Sequence, residues 1–126
     1  MKLVHAADLH LDSALTGLTR YESAPVDEIR GATRRAFANL VSSCLEERAG
    51  LLVISGDLFD SDWRDVSTGL FFAAQLSKLC EAGVQVVWIR GNHDAVSQIR
   101  RSVRLPEKVI ELRADREIGR AACRER

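Results

Sequence analysis

The sequence predicts an α/β fold, a parallel-sheet βαβαβ unit, on three observations. Short apolar runs at residues 2–7, 51–55 and 84–89 each stop at an aspartate or a glycine. Two longer stretches between them place apolar residues at three- and four-residue steps, the period of an amphipathic helix. The order strand, helix, strand, helix, strand then calls for right-handed crossovers and parallel pairing.

Each element has its own local reason. Residues 2–7, ending before Asp8, read as a first buried strand. Residues 9–25 have mixed polarity and contain Gly17 and Pro25, so they read as a loop. Asp27 is the expected cap of a first helix, whose stripe is Ile29, Ala32, Thr33, Ala36, Phe37, Leu40, Val41, Cys44 and Leu45; Gly50 is expected to close it. Leu51-Leu52-Val53-Ile54-Ser55 reads as a second buried strand, stopped by Gly56. After a polar loop, residues 66–82 form a second helix with Phe72, Leu76 and Leu79 on one face, closed by Gly83. Residues 84–89 form the third strand, ended by Gly91. A short helix over 95–104 and a fourth strand over 109–112 are weaker expectations. The division is a domain over 1–113 and a tail over 114–126 with no sustained apolar stripe, expected to be frayed or non-native.

Composition bounds the function. The chain has 126 residues, 46% hydrophobic and 29% charged, a balance that excludes a disordered or low-complexity chain. No apolar run approaches the roughly 20 residues that span a bilayer. Asp8 interrupts the N-terminus too early for a signal peptide. Cys44, Cys80 and Cys123 have neither a disulfide nor a zinc spacing. The expectation is a cytoplasmic protein without a membrane partner. Net charge is zero, but residues 1–99 carry 9 basic and 13 acidic residues, a net of −4, and residues 100–126 carry 9 and 5, a net of +4. A large basic face is therefore not what would hold nucleic acid.

The chemistry sits at the three strand exits: Asp8-Leu9-His10, Gly56-Asp57-Leu58-Phe59-Asp60 and Gly91-Asn92-His93-Asp94. In an open parallel sheet the carboxyl ends share one edge, where ligands bind, so motifs far apart in sequence converge. Carboxylate, imidazole and amide oxygen donors suit manganese, iron or zinc. Two such ions roughly 3.5–4 Å apart can clamp a phosphate and activate a water. A ligand shared between them must be a carboxylate, and Asp57 is the choice. Alone, the first two motifs read more readily as turns and the third equally as a turn or a site; the three together, in order, read as a metal site.

That ordered set resembles the calcineurin-like metallophosphoesterase superfamily. Within it, residues 5–13 and 55–60 are most similar to bacterial SbcD-type DNA repair exonucleases, the likeness covering about residues 1–112. The resemblance implies a two-sheet sandwich, of which this chain carries the first half, and a two-metal phosphodiesterase with manganese as the usual cofactor. It assigns Asp8, His10, Asp57 and Asn92 to the metals, His93 to catalysis and Asp94 to orienting it. It implies DNA or another phosphodiester as substrate, and an SbcC-like ATPase as partner of the full-length protein. A phosphatase or cyclic-nucleotide phosphodiesterase, and a folded but catalytically incomplete fragment, are the alternatives. The last arises because the family pattern continues with further histidine ligands, whereas this chain holds only His5, His10 and His93. With the patternless tail, this leads to the expectation of a truncated or frame-shifted product.

Other residues have structural readings. Asp12 and Asp60 would orient metal ligands or else be solvated loop carboxylates. Trp63 and Arg64 would touch substrate by stacking and phosphate contact, or pack in the loop. Arg100, Arg101 and Arg104 would steer phosphate or form a solvated helix face. His5 is expected to be a satisfied core histidine, and Cys44 and Cys80 to act as small hydrophobes.

Overall fold

The computed structural model describes residues 1–13, 21–23, 25–59, 65–91 and 103–112. The elements run β1 (Leu3–Ala7), α1 (Val26–Glu46), β2 (Leu51–Gly56), α2 (Val66–Glu81), β3 (Gln85–Arg90) and β4 (Val109–Leu112). The sheet order is β1-β2-β3-β4, with every pair parallel. The βαβαβ unit and the fourth strand are as the sequence predicts. Most of the expected helix over 95–104 and the whole tail from residue 114 lie outside the described residues.

A sequential strand order with crossovers of one hand sends every connection over the same face. Both long helices accordingly pack on one side. Leu52 and Ile54 of β2 and Val86 and Trp88 of β3 meet Phe37, Val41 and Cys44 of α1 and Phe72, Leu76 and Leu79 of α2. Phe72 is the hub, with ring centroids 5.4 Å from Phe37 and 5.8 Å from Trp88. The alternate strand positions face the other way. Registered rows such as His5, Val53, Val87 and Ile110 form a second face on which no described residue packs. The strands are thus buried on one side, not on both as their apolar runs predict. His5 is not a core residue: it is exposed on this second face, its Nε2 2.5 Å from Ser55 Oγ.

Two helix ends differ from expectation. Asp27 does not cap α1. It sits with Glu28 in the first turn, where a carboxylate favours the positive end of the helix dipole, and Pro25 holds the cap position. Gly50 does not close α1 either. Arg48 takes the left-handed conformation (φ 52°), and Ala49 N–H bonds back to Cys44 C=O across the helix end. In α2, Asp65 accepts from Ser67 N–H at the start and Gly83 (φ 83°) turns the chain at the end. Cys44 and Cys80 are buried as expected, and burial pushes both thiols up.

Candidate metal centre

The first motif continues the parallel ladder past the end of β1. Asp8 N–H donates to Ser55 C=O, His10 N–H to Asp57 C=O and Leu11 N–H to Leu58 C=O. The first two motifs therefore run side by side. Apolar anchors hold them down: Leu11 and Leu58 are fully buried, and Phe59 packs edge-on against Phe72 and Trp88.

The backbone of the first motif is unusual. Asp8, His10 and Asp12 all have positive φ, at 50°, 41° and 54°. That region disfavours side chains, and Asp and His are among the few residue types that tolerate it. Leu9 and Leu11, between them, turn into the core. The alternation sends the apolar side chains inward and leaves Asp8 and His10 at the edge, while Asp12 is buried against the helices.

The glycines explain how the carboxylates nest. A Cβ on Gly56 would collide with the Asp8 carboxylate, and Gly56 also has φ 82°. A Cβ on Gly91 would collide with the Asp57 carboxylate and backbone. Asp57 N–H donates to Asp8 Oδ1 at 3.4 Å. Each carboxylate thus lies over the glycine of the next strand exit, stepping from β1 across β2 to β3.

Asp8, His10 and Asp57 lie on two segments that run side by side, joined by bonds from His10 N–H to Asp57 C=O and from Asp57 N–H to Asp8 Oδ1. Asn92, His93, Asp94, Asp60, Trp63, Arg64, Arg100 and Arg101 lie outside the described residues. Among the described residues no three His, Cys, Asp or Glu side chains close into an ion-holding group. The donors present nevertheless fit a divalent ion in kind, two carboxylates and an imidazole, and the glycine cradle leaves the carboxylates room.

Asp12 is not a solvated carboxylate. It is 3% exposed, and its Oδ2 accepts from Arg34 Nε (2.7 Å) and Thr68 Oγ1 (2.6 Å). Asp12 holds the Arg34 guanidinium pKa above its ordinary value. Arg34 is the residue that sequence reasoning missed. It lies on the helix beside the apolar stripe and reads there as an ordinary surface charge. Arg104 is exposed and lies 3.8 Å from Glu107, a solvated ion pair.

A parallel sheet with polar motifs side by side at its carboxyl edge defines a class: open α/β proteins, which bind their ligands at that edge. Residues 1–120 match the calcineurin-like phosphoesterase family, and the chain belongs to that family. Its four parallel strands and one-sided helices agree with the first half of a metallophosphoesterase domain. It is 31% identical over 109 residues to the metallophosphoesterase YhaO of Bacillus subtilis, covering 86% of this chain and 27% of that protein. It is 36% identical over 95 residues to the DNA double-strand break repair protein Mre11 of Methanopyrus kandleri, covering 75% and 19%. Over 99 residues it is 32% identical to the Mre11 of Aeropyrum pernix, covering 76% and 22%. The chain thus spans about a quarter or less of the length of these relatives.

Proposed function

We propose that the protein of which this chain is part hydrolyses phosphodiester bonds in DNA with two divalent metal ions, as a repair exonuclease of the SbcD type. The nesting of the Asp8 and Asp57 carboxylates over Gly56 and Gly91 carries this reading. The Mre11 relatives favour a DNA end as substrate over a simple phosphomonoester.

Asp8 and His10 would hold the first ion, Asp57 would bridge and Asn92 would hold the second. Bound there, two divalent ions, manganese on this reading, would supply charge neutralisation for the phosphate and activation for a water. His93 would donate a proton to the leaving oxygen, held in aim by Asp94. The open sheet face is read as the surface on which the second sheet of the complete domain packs. Trp63 and Arg64 are assigned to the DNA strand, and an SbcC-like ATPase to the whole protein. The cytoplasm is the compartment assigned on this reading; among the described residues no helix is long and apolar enough to cross a membrane.

Manganese calorimetry on this chain, beside Asp57→Asn, is the test. Two ions bound, and both lost in the variant, is the expected result. One weak ion or none would refute a two-metal site in this chain. Preference of the longer protein for DNA ends over p-nitrophenyl phosphate checks the substrate; the reverse preference would replace the nuclease reading with a phosphatase.

A further inference from the structure

The segment that carries Asp8 and His10 is held in a conformation it would not choose alone. Three of its five residues, none a glycine, have positive φ. Such backbone persists only where its surroundings over-determine it. Backbone bonds to Ser55 of β2 and to Asp57 and Leu58 just beyond it fix residues 8, 10 and 11. Beyond Leu11 the hold passes to the helices. Asp12 N–H donates to Thr33 Oγ1 (3.1 Å), while Arg34 and Thr68 converge on Asp12 Oδ2. Arg34 also reaches Ser67 Oγ (3.0 Å) and lies over the Phe71 ring, 5.3 Å from its centroid.

We propose that Arg34 and Thr68, acting through Asp12, are positioning residues that clamp residues 8–12 and so set the aim of Asp8 and His10. The role rests on the reading of Asp8 and His10 as metal ligands. Three observations make the tie more than an ordinary ion pair. It joins the loop to both helices at once, through Thr33 and Arg34 of α1 and Thr68 of α2. Its bonds to the carboxylate fall on Oδ2, while Oδ1 is buried with no partner among the described residues. Loss of either donor therefore leaves an under-compensated buried charge, and the loop must move to solvate it. The guanidinium also lies over the Phe71 ring while its nitrogens bond Asp12 and Ser67, a combination that the point charge of lysine does not copy.

The test uses the isotope-labelled 126-residue chain with Arg34→Gln, Thr68→Val and Thr68→Ser, beside a core control, Val41→Ala. Backbone couplings and Cα shifts report the sign of φ at Asp8, His10 and Asp12, and calorimetry on the same samples reports manganese affinity. Arg34→Gln and Thr68→Val should lose the left-handed signature at His10 and Asp12 and bind manganese roughly ten-fold more weakly. Thr68→Ser, which keeps the hydroxyl, should retain both, and so should the destabilised Val41→Ala. Should Arg34→Gln fail to fold, the near-isosteric Thr68→Val and Thr68→Ser still decide the matter. An intact signature in Thr68→Val overturns the proposal. A signature lost in the variants, in a chain that binds no manganese even unmodified, upholds the clamp and overturns the metal reading instead.

Discussion

Val53 and Ile54 are neighbours in one strand and almost the same size, yet they live in different solvents. Ile54 is fully buried under the helices, whereas Val53 stays half-buried on the opposite face, in a row with exposed His5 and Ile110 (48% exposed). The strand sequences are apolar on both faces, the pattern of strands covered twice. Among the described residues, the connecting helices cover one face. The difference teaches that side-chain chemistry states what a face requires, while crossover topology decides which face is served first.

The largest effect should come from truncating the covered face. Ile54→Ala is expected to cost about 2–5 kcal/mol in urea unfolding, and Val53→Ala less than about 1 kcal/mol. Equal losses would break the comparison, because the open face would then be packed in solution.

At the rim where the faces meet the site, Gly56→Ala should cost about 1–2 kcal/mol, since alanine must adopt positive φ against the Asp8 carboxylate. The same variant should weaken manganese binding measured by calorimetry. Unchanged affinity would mean that Asp8 is not a ligand.

On the open face, Leu3→Ser with Ile110→Ser should leave unfolding free energy within about 0.5 kcal/mol. It should also reduce the self-association seen by sedimentation equilibrium, since contiguous exposed apolar surface drives association. A chain that is monomeric with both residues intact would show that the face tolerates water.

The smallest effect is a pH dependence confined to the covered side. Burial raises the Cys44 and Cys80 thiols above the ordinary 9.0. An unfolded thiol ionises near that pH while the folded one keeps its proton. Their contribution to stability is therefore complete below pH 9.0 and declines as pH rises beyond it. Thermal unfolding across that range should slope downward, and Cys44→Ala should flatten the slope; an unaltered slope would assign it to other groups.

Much of this was legible without coordinates. Branched apolar runs stopped by glycine or aspartate mark β2 and β3, because strand and turn preferences are local. The stripe from Ile29 to Leu45 marks α1 because its period is set by the helix itself. Placing the first two motifs side by side needed only the parallel order, which puts all strand exits on one edge. The end of α1 was misread because Arg48, not Gly50, takes the left-handed turn; the nearest glycine is a preference, overridden here by the bond from Ala49 to Cys44.

By itself, then, the sequence determined the element order, the parallel sheet and the edge on which the first two motifs meet. Periodicity and chain connectivity are properties of neighbours. The tertiary structure alone decided that the helices share one face, that His5 stands outside the core and that Gly91 makes room for Asp57. It alone paired Asp12 with Arg34 and Thr68, residues 22 and 56 positions away. Contacts over such separations depend on how packed elements meet in space, and no local pattern along the chain encodes that meeting.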